Sequence, residues 1–246
     1  MAVTTRVPDQ DTLYLSAPVN ALVEGIYRQN TTLGQLKEHG DFGLGTFNDL
    51  DGELVLLGGT AFQITGAGEV RRPDDAVLTP FACACFFREL TFEEVVTGFV
   101  DFEALMALLE NSFPSPNMMY AIRIDGDFEF VRTRCVPRQD HFRPLVEATR
   151  DQSTFAMNNL SGTLAGFYTP KFMSSLSVPG VHLHFISQDR TCGGHLLQCR
   201  AMRARIGIQI LRSLHMDLPV TMDYLTADLS RDSSQDLRQA ELEQKQ

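Results

Sequence analysis

The sequence predicts an α/β protein of the α+β type, with two lobes of mixed, largely antiparallel β-sheet and a few helices. Three observations carry this. Short apolar runs of strand length, separated by glycine-rich turns, fill residues 44–72; longer strand-like runs fill the second half; and helical spacing is confined to a few brief segments. With 246 residues the chain is long enough to bury a sizeable core as one large domain or two smaller lobes.

Taken in order, Pro18 to Arg28 places Val19, Leu22, Val23 and Ile26 on one helical stripe. Thr32 to His39 places Leu33 and Leu36 on another, and Gly40 ends it. From Leu44 to Arg72 the pattern is a meander. Asp51–Gly52, Gly58–Gly59 and Gly66–Ala67–Gly68 are its turns, between runs such as Glu53–Leu57 and Thr60–Thr65. Pro80–Phe87 reads as a further strand. Asp101 is placed to cap a helix reaching about Leu109, with Phe102, Leu105 and Leu108 or Leu109 facing a core. Asp125–Gly126 then joins Met119–Ile124 to Phe128–Val136 as a hairpin. A short helix follows Pro144, and strands follow at Ser153–Met157, Gly162–Tyr168, Val181–Ile186 and His195–Leu211. Residues 204–210 alternate as a half-exposed strand would. On composition, the charged tail from Ser230 is a solvated or frayed terminus. A break at Pro137–Pro144 divides the chain into lobes 1–137 and 138–246, the second carrying the tail.

Composition narrows the function. The formal net charge of −10 and the absence of a basic stripe disfavour nucleic acid as a partner. No stretch is apolar and long enough to span a membrane, and residues 1–10 lack the features of a signal peptide, so a cytoplasmic location is expected. The five cysteines, Cys83, Cys85, Cys135, Cys192 and Cys199, show no C-x-x-C spacing, and a disulfide framework is not expected. Cys192 reads as a small buried apolar residue. A small anionic ligand would have to be attracted by local positive charge, from arginine or a metal.

Three of the six histidines fall within fourteen positions. In Gly180–Val–His182–Leu–His184–Phe–Ile186, strand geometry puts both imidazoles on one face while Leu183 and Phe185 pack behind them. The loop Gln188 to Gly194 reverses the chain and brings back His195, which can supply a third nitrogen. Three neutral imidazoles leave one position of a tetrahedral Zn²⁺ open, as a catalytic site requires, although Fe, Ni and Cu also accept such ligands. His39, in a helix's last turn where a cation suits the dipole, reads as structural, as do His141 and His215, which lack ligand-like spacing.

GTLAGFYTP at 162–170 and VPGVHLHFISQDRTCGGHLL at 178–197, with GTFNDLDGEL at 45–54 and VRTRCVPRQDHFRPL at 131–145, resemble the conserved blocks of the α-acetolactate decarboxylase family. The blocks stand in the family's order, and the resemblance covers most of the chain. The resemblance implies two lobes with zinc in the cleft between them, a homodimer, and conversion of 2-acetolactate, a small anionic 2-hydroxy-3-oxo acid, to acetoin and CO₂ through a metal-stabilised enediolate. It implies zinc ligands His182, His184 and His195, a catalytic Glu53, a substrate-binding Thr46, and an Arg134 that serves both binding and catalysis. It also implies a tail glutamate at the metal region, Glu241 ahead of Glu243. Where the family tends to carry a carboxylate after GGHVL, this chain has Gln198, a change expected to bear on the orientation of His195.

Alternatives stay open on the residues alone. A cupin-like or carbonic-anhydrase-like three-histidine metalloenzyme would use the same ligands, leaving Glu53 and Arg134 incidental. A non-catalytic metal-binding domain would bind zinc and release no CO₂.

Overall fold

Two main sheets, a two-stranded ribbon and short helices make up the residues described, 11–88 and 92–241, in the computed structural model. The first half runs β1 (Thr12–Leu15), α1 (Val19–Val23), β2 (Thr31–Thr32), α2 (Leu33–His39), β3 (Phe42–Thr46), β4 (Glu53–Leu57), β5 (Thr60–Ile64), β6 (Val70–Arg71), β7 (Leu78–Thr79) and β8 (Ala82–Cys85). There follow β9 (Phe92–Asp101), α3 (Phe102–Ser112), β10 (Met119–Cys135), α4 (Leu145–Ala148), β11 (Ser153–Thr169), β12 (Gly180–Ser187) and β13 (Gly193–Leu211). The last elements are β14 (Ser213–Met216), α5 (Met222–Thr226) and α6 (Ser234–Glu241).

The helix starts follow from local chemistry. Thr32 and Gln35 form a reciprocal capping box, the Thr32 hydroxyl accepting from the Gln35 N–H at 3.1 Å and the Gln35 side chain accepting from the Thr32 N–H at 2.9 Å. Asp101 accepts from the Ala104 N–H at 2.9 Å, as its expected capping role requires. The first helix is shorter than its apolar stripe, because Gly25 takes a φ of 86° and turns the chain just after Glu24.

In the first sheet the strand order is β14-β1-β8-β3-β4-β5-β6, antiparallel except that β14 runs parallel to β1. Every residue of β4 and of β8 is buried, since both faces of this sheet are covered. Leu54 and Leu56 pack with Leu33 and Leu36 of α2, while Val55 and Leu57 point the other way, into a core shared with the second sheet. The second sheet orders β10-β11-β12-β13-β9, and β10 also pairs with β13. Strands β10 to β13 therefore close into a ring. Its interior holds Ile122, Ile124, Leu164, Leu183, Phe185 and Ile206, capped by Leu105 and Leu109 of α3. Ala165, Phe167 and Ile186 face outward to meet the first sheet, and that contact is the floor of the site.

The structure differs from the sequence expectation in several places. Asp125–Gly126 is no hairpin turn, because β10 runs unbroken from Met119 to Cys135 with β11 on one side and β13 on the other. Gly126 serves close approach instead: a Cβ there would lie 2.5 Å from the Arg203 carbonyl oxygen. The two strands expected within 153–168 are likewise one strand, β11, crossing Asn159 at a φ of 52°. In β13, Arg205 is exposed as the alternation requires, but Gly207 and Gln209 are buried. Sheet membership changes between Cys85 and Phe92, ahead of Pro137, and β14 returns the chain to the first sheet. Cys192 is half-exposed; the other four cysteines are buried, and all five are free thiols. No helix among the described residues is long and apolar enough to cross a membrane.

Candidate active site

Alternation along β12 places His182 and His184 on the same side as Ile186, toward the first sheet, with Leu183 and Phe185 in the ring core. The turn after Ser187 returns the chain into β13, where His195 stands directly opposite His184 on one side and Arg134 of β10 on the other. Gly194 permits this. Its φ is 133°, and a Cβ would lie 2.6 Å from the Arg134 carbonyl oxygen. From the facing sheet, Gly52 turns the chain at a φ of 89° into Glu53, which stands opposite Thr46 of β3. The last contributor is α6, anchored by buried Leu237 and Ala240, which brings Glu241 over the histidines.

All seven side chains named from the sequence, Thr46, Glu53, Arg134, His182, His184, His195 and Glu241, line one cavity between the sheets. A nitrogen from each histidine lies within 4.8 Å of the others. His184 Nδ1 is 2.9 Å from the Leu54 carbonyl oxygen, which can only accept, so Nδ1 carries the proton and Nε2 presents its lone pair inward. His182 Nε2 and His195 Nδ1 are 3.1 Å apart. Glu53 reaches to 3.5 Å from both Arg134 Nη1 and His184 Nε2. Glu241 Oε2 is 3.6 Å from both His182 Nε2 and His195 Nε2, and its Oε1 is 3.8 Å from Arg134 Nη2. The carboxylate separations of 3.5–3.8 Å are longer than ordinary direct hydrogen bonds and leave room for an atom among the groups.

Burial governs the electrostatics. Desolvation, helped by the charge of Arg134, lowers His182 to about 3. It takes His184 and His195 well below the ordinary histidine range, so all three imidazoles are neutral donors. Desolvation also raises Glu53 to about 7, outweighing the opposing pull of Arg134. Glu241 shifts up for the same reason. Two polar atoms here are buried without a hydrogen-bond partner, Arg134 Nε and Glu241 Oε2. An orphaned carboxylate oxygen facing two neutral imidazoles fits a cation at that point, and three nitrogens with one oxygen form a donor set suited to zinc.

Glu243 lies outside the described residues. Gln198 sits beyond His195 and lines a neighbouring cavity of about 460 Å³ with Phe102, Met106 and Arg238. His39 stacks on Tyr14 at 3.9 Å, while His141 and His215 are exposed, so all three stand apart from the cluster. Sequence reasoning missed the Leu54 carbonyl that fixes the His184 tautomer, because a backbone group has no signature in the residue string.

Fold and site together define the class: an α+β protein whose two sheets close on a buried group of three imidazoles able to hold a metal ion. A profile of the alpha-acetolactate decarboxylase family matches residues 13–231, and the chain belongs to that family. It is 38% identical over 245 residues to an alpha-acetolactate decarboxylase of Brevibacillus brevis, covering 99% of this chain and 86% of that protein. It is 39% identical to that of Methylococcus capsulatus, covering 93% and 88%. Among solved structures, alpha-acetolactate decarboxylase from Bacillus subtilis strain 168 superposes with a TM-score of 0.91 at 32% identity, covering 94% of this chain and 100% of that one.

Proposed function

We propose that this protein converts 2-acetolactate to acetoin and CO₂ in the cavity between the sheets, with zinc held by His182, His184 and His195. The observation that carries the reading is the gathering of Glu53 and Arg134 with the three histidines in one buried cavity. Family membership supports the substrate; the free thiols, and the lack among the described residues of a helix long and apolar enough to cross a membrane, are compatible with a cytoplasmic location.

The substrate carboxylate is β to a ketone, so departure of CO₂ leaves an electron pair that needs an acceptor. Zinc held by His182, His184 and His195 would supply Lewis acidity where that charge develops. Arg134, nearly fully buried, can hold the carboxylate through two parallel hydrogen bonds in a site that excludes water. Because guanidinium stays protonated, Arg134 is a poor proton donor. Glu53 stands 3.5 Å from it and can hand a proton, directly or through a water, to the carbon that lost CO₂. The Thr46 hydroxyl donates to the Gly52 carbonyl at 2.7 Å, leaving its oxygen lone pairs as acceptors toward the cavity. Glu241 closes the side facing α6. The test is a colorimetric acetoin assay on purified protein given 2-acetolactate, with and without chelator. Acetoin that appears only with metal present supports the reading, and no acetoin from zinc-loaded protein overturns it.

A further inference from the structure

On the outer face of the strand ring lies a groove of about 510 Å³ that shares no lining residue with the two cavities at the histidines. It is a basic spot on an acidic protein. Four arginines line it, Arg123, Arg190, Arg203 and Arg205, against two aspartates, Asp125 and Asp127, in a chain of formal charge −10. The strand register explains the gathering. Asp125 lies opposite Thr163 on one neighbour and Arg205 on the other, and Asp127 opposite Ser161 and Arg203, so charged and hydroxyl side chains form two rows across three strands.

Both carboxylates are engaged within the wall. Asp125 accepts from Arg123 Nε at 2.8 Å and from the Thr163 hydroxyl at 2.7 Å, and Asp127 accepts from the Ser161 hydroxyl at 2.6 Å. Arg203 has no acidic partner among the described residues. Arg190 is held over the groove by an unusual backbone, a φ of 60° in a non-glycine residue, with its guanidinium 5.1 Å from the Phe62 ring and its Nη1 donating to the Ser187 carbonyl at 3.2 Å. Burial and the nearby charge of Arg123 depress the Arg190 guanidinium, an unfavourable arrangement that a bound anion would relieve.

We propose that this groove binds a small, doubly charged oxyanion, a phosphate or a dicarboxylate, with Arg190 and Arg203 as its charged contacts. The positive charge and planar guanidinium forks of Arg190 and Arg203 match that chemistry. The test is calorimetric titration of the zinc-loaded protein with inorganic phosphate and, separately, succinate, ionic strength being held constant with chloride. Saturable heat is expected from at least one. Phosphate alone marks a phosphoryl ligand, and response to succinate marks the dicarboxylate class. Arg203→Gln, an exposed position, should fold normally, keep its turnover, and weaken binding by about tenfold or more, the loss of one charge-assisted contact. Absence of saturable heat with both ions overturns the proposal. So does heat that is unchanged in Arg203→Gln, or that disappears in Arg134→Lys, which would put the ion at the histidines.

Discussion

Glu53 and Arg134 are both almost wholly buried and face one another across the sheet interface, so each can be altered without changing the surface of the protein. Glu53→Gln keeps the size and hydrogen bonding of the side chain but removes its titratable proton. Turnover should fall by roughly a hundredfold or more while substrate binding persists. Residual acetoin should also be less enantiopure than the wild-type product; near-normal turnover with a single enantiomer would remove Glu53 from proton handling. Arg134→Lys keeps the charge and loses the fork, and steady-state kinetics should show KM rising as kcat falls. Thiol chemistry provides a separate check on burial. Desolvation raises Cys83 and Cys199 to about 12 and takes Cys85 well above the ordinary thiol range, whereas Cys192 is half-exposed. Ellman's reagent on the native protein at pH 8 should therefore label Cys192 alone, and rapid reaction at a second cysteine would contradict the packing.

Among the elements, α6 joins the packing most directly to the site. Leu237 and Ala240 are buried, Arg231 ties the helix start to Glu24 at 2.6 Å and to Asp236 at 2.7 Å, and Glu241 ends over the histidines. Truncation before Asp236 leaves all three imidazoles in place. Turnover should drop while elemental analysis still finds zinc; unchanged turnover would return the tail to a solvated terminus. Strand contact sets a second limit. At Gly166 an added Cβ would run into the His182 carbonyl, so Gly166→Ala should cost about 1–3 kcal/mol in denaturant titration and lower zinc retention together. Much of the site could be read from the sequence because its signals are local: H-x-H alternation, a Gly-Gly return, a Gly before Glu53. The continuity of β10 and β11 could not, since Asp125–Gly126 looks like a turn until two long neighbours hold it extended on both sides. Nor could α6, whose composition suits solvent and whose order depends on two small apolar contacts with distant residues. The turn after Glu24 shortened α1 although its apolar stripe runs on to Ile26, a case of glycine φ overriding periodicity.

At the scale of the whole molecule, the histidine group bridges two sheets, with His184 bound to the Leu54 carbonyl of the facing strand. A metal held there binds the folded chain far better than the unfolded one, so removing it should lower thermal stability. With free zinc at about a hundred times its dissociation constant the gain is about 2.7 kcal/mol, or roughly 5–10 °C in Tm for a chain of this size. Scanning fluorimetry with chelator and then with zinc restored should show that shift in wild type and not in His182→Ala; an equal shift in the variant would place the metal elsewhere.

The parallel pairing of β14 with β1 joins Thr12 to Ser213, and this contact has a consequence for how the protein is made. At ribosomal speed the intervening stretch takes roughly 10–40 s to emerge. Throughout that interval the edge of β1 that β14 covers is unpaired, in the reach of chaperones and of neighbouring nascent chains. Glu241 emerges later still, so the cavity is assembled only after α6 has followed the strands out of the ribosome. Slowing translation ahead of β1 should therefore leave the yield of active protein little changed, whereas a pause between the codons for β13 and α6 would hold an inactive chain that lacks α6 exposed to misassembly.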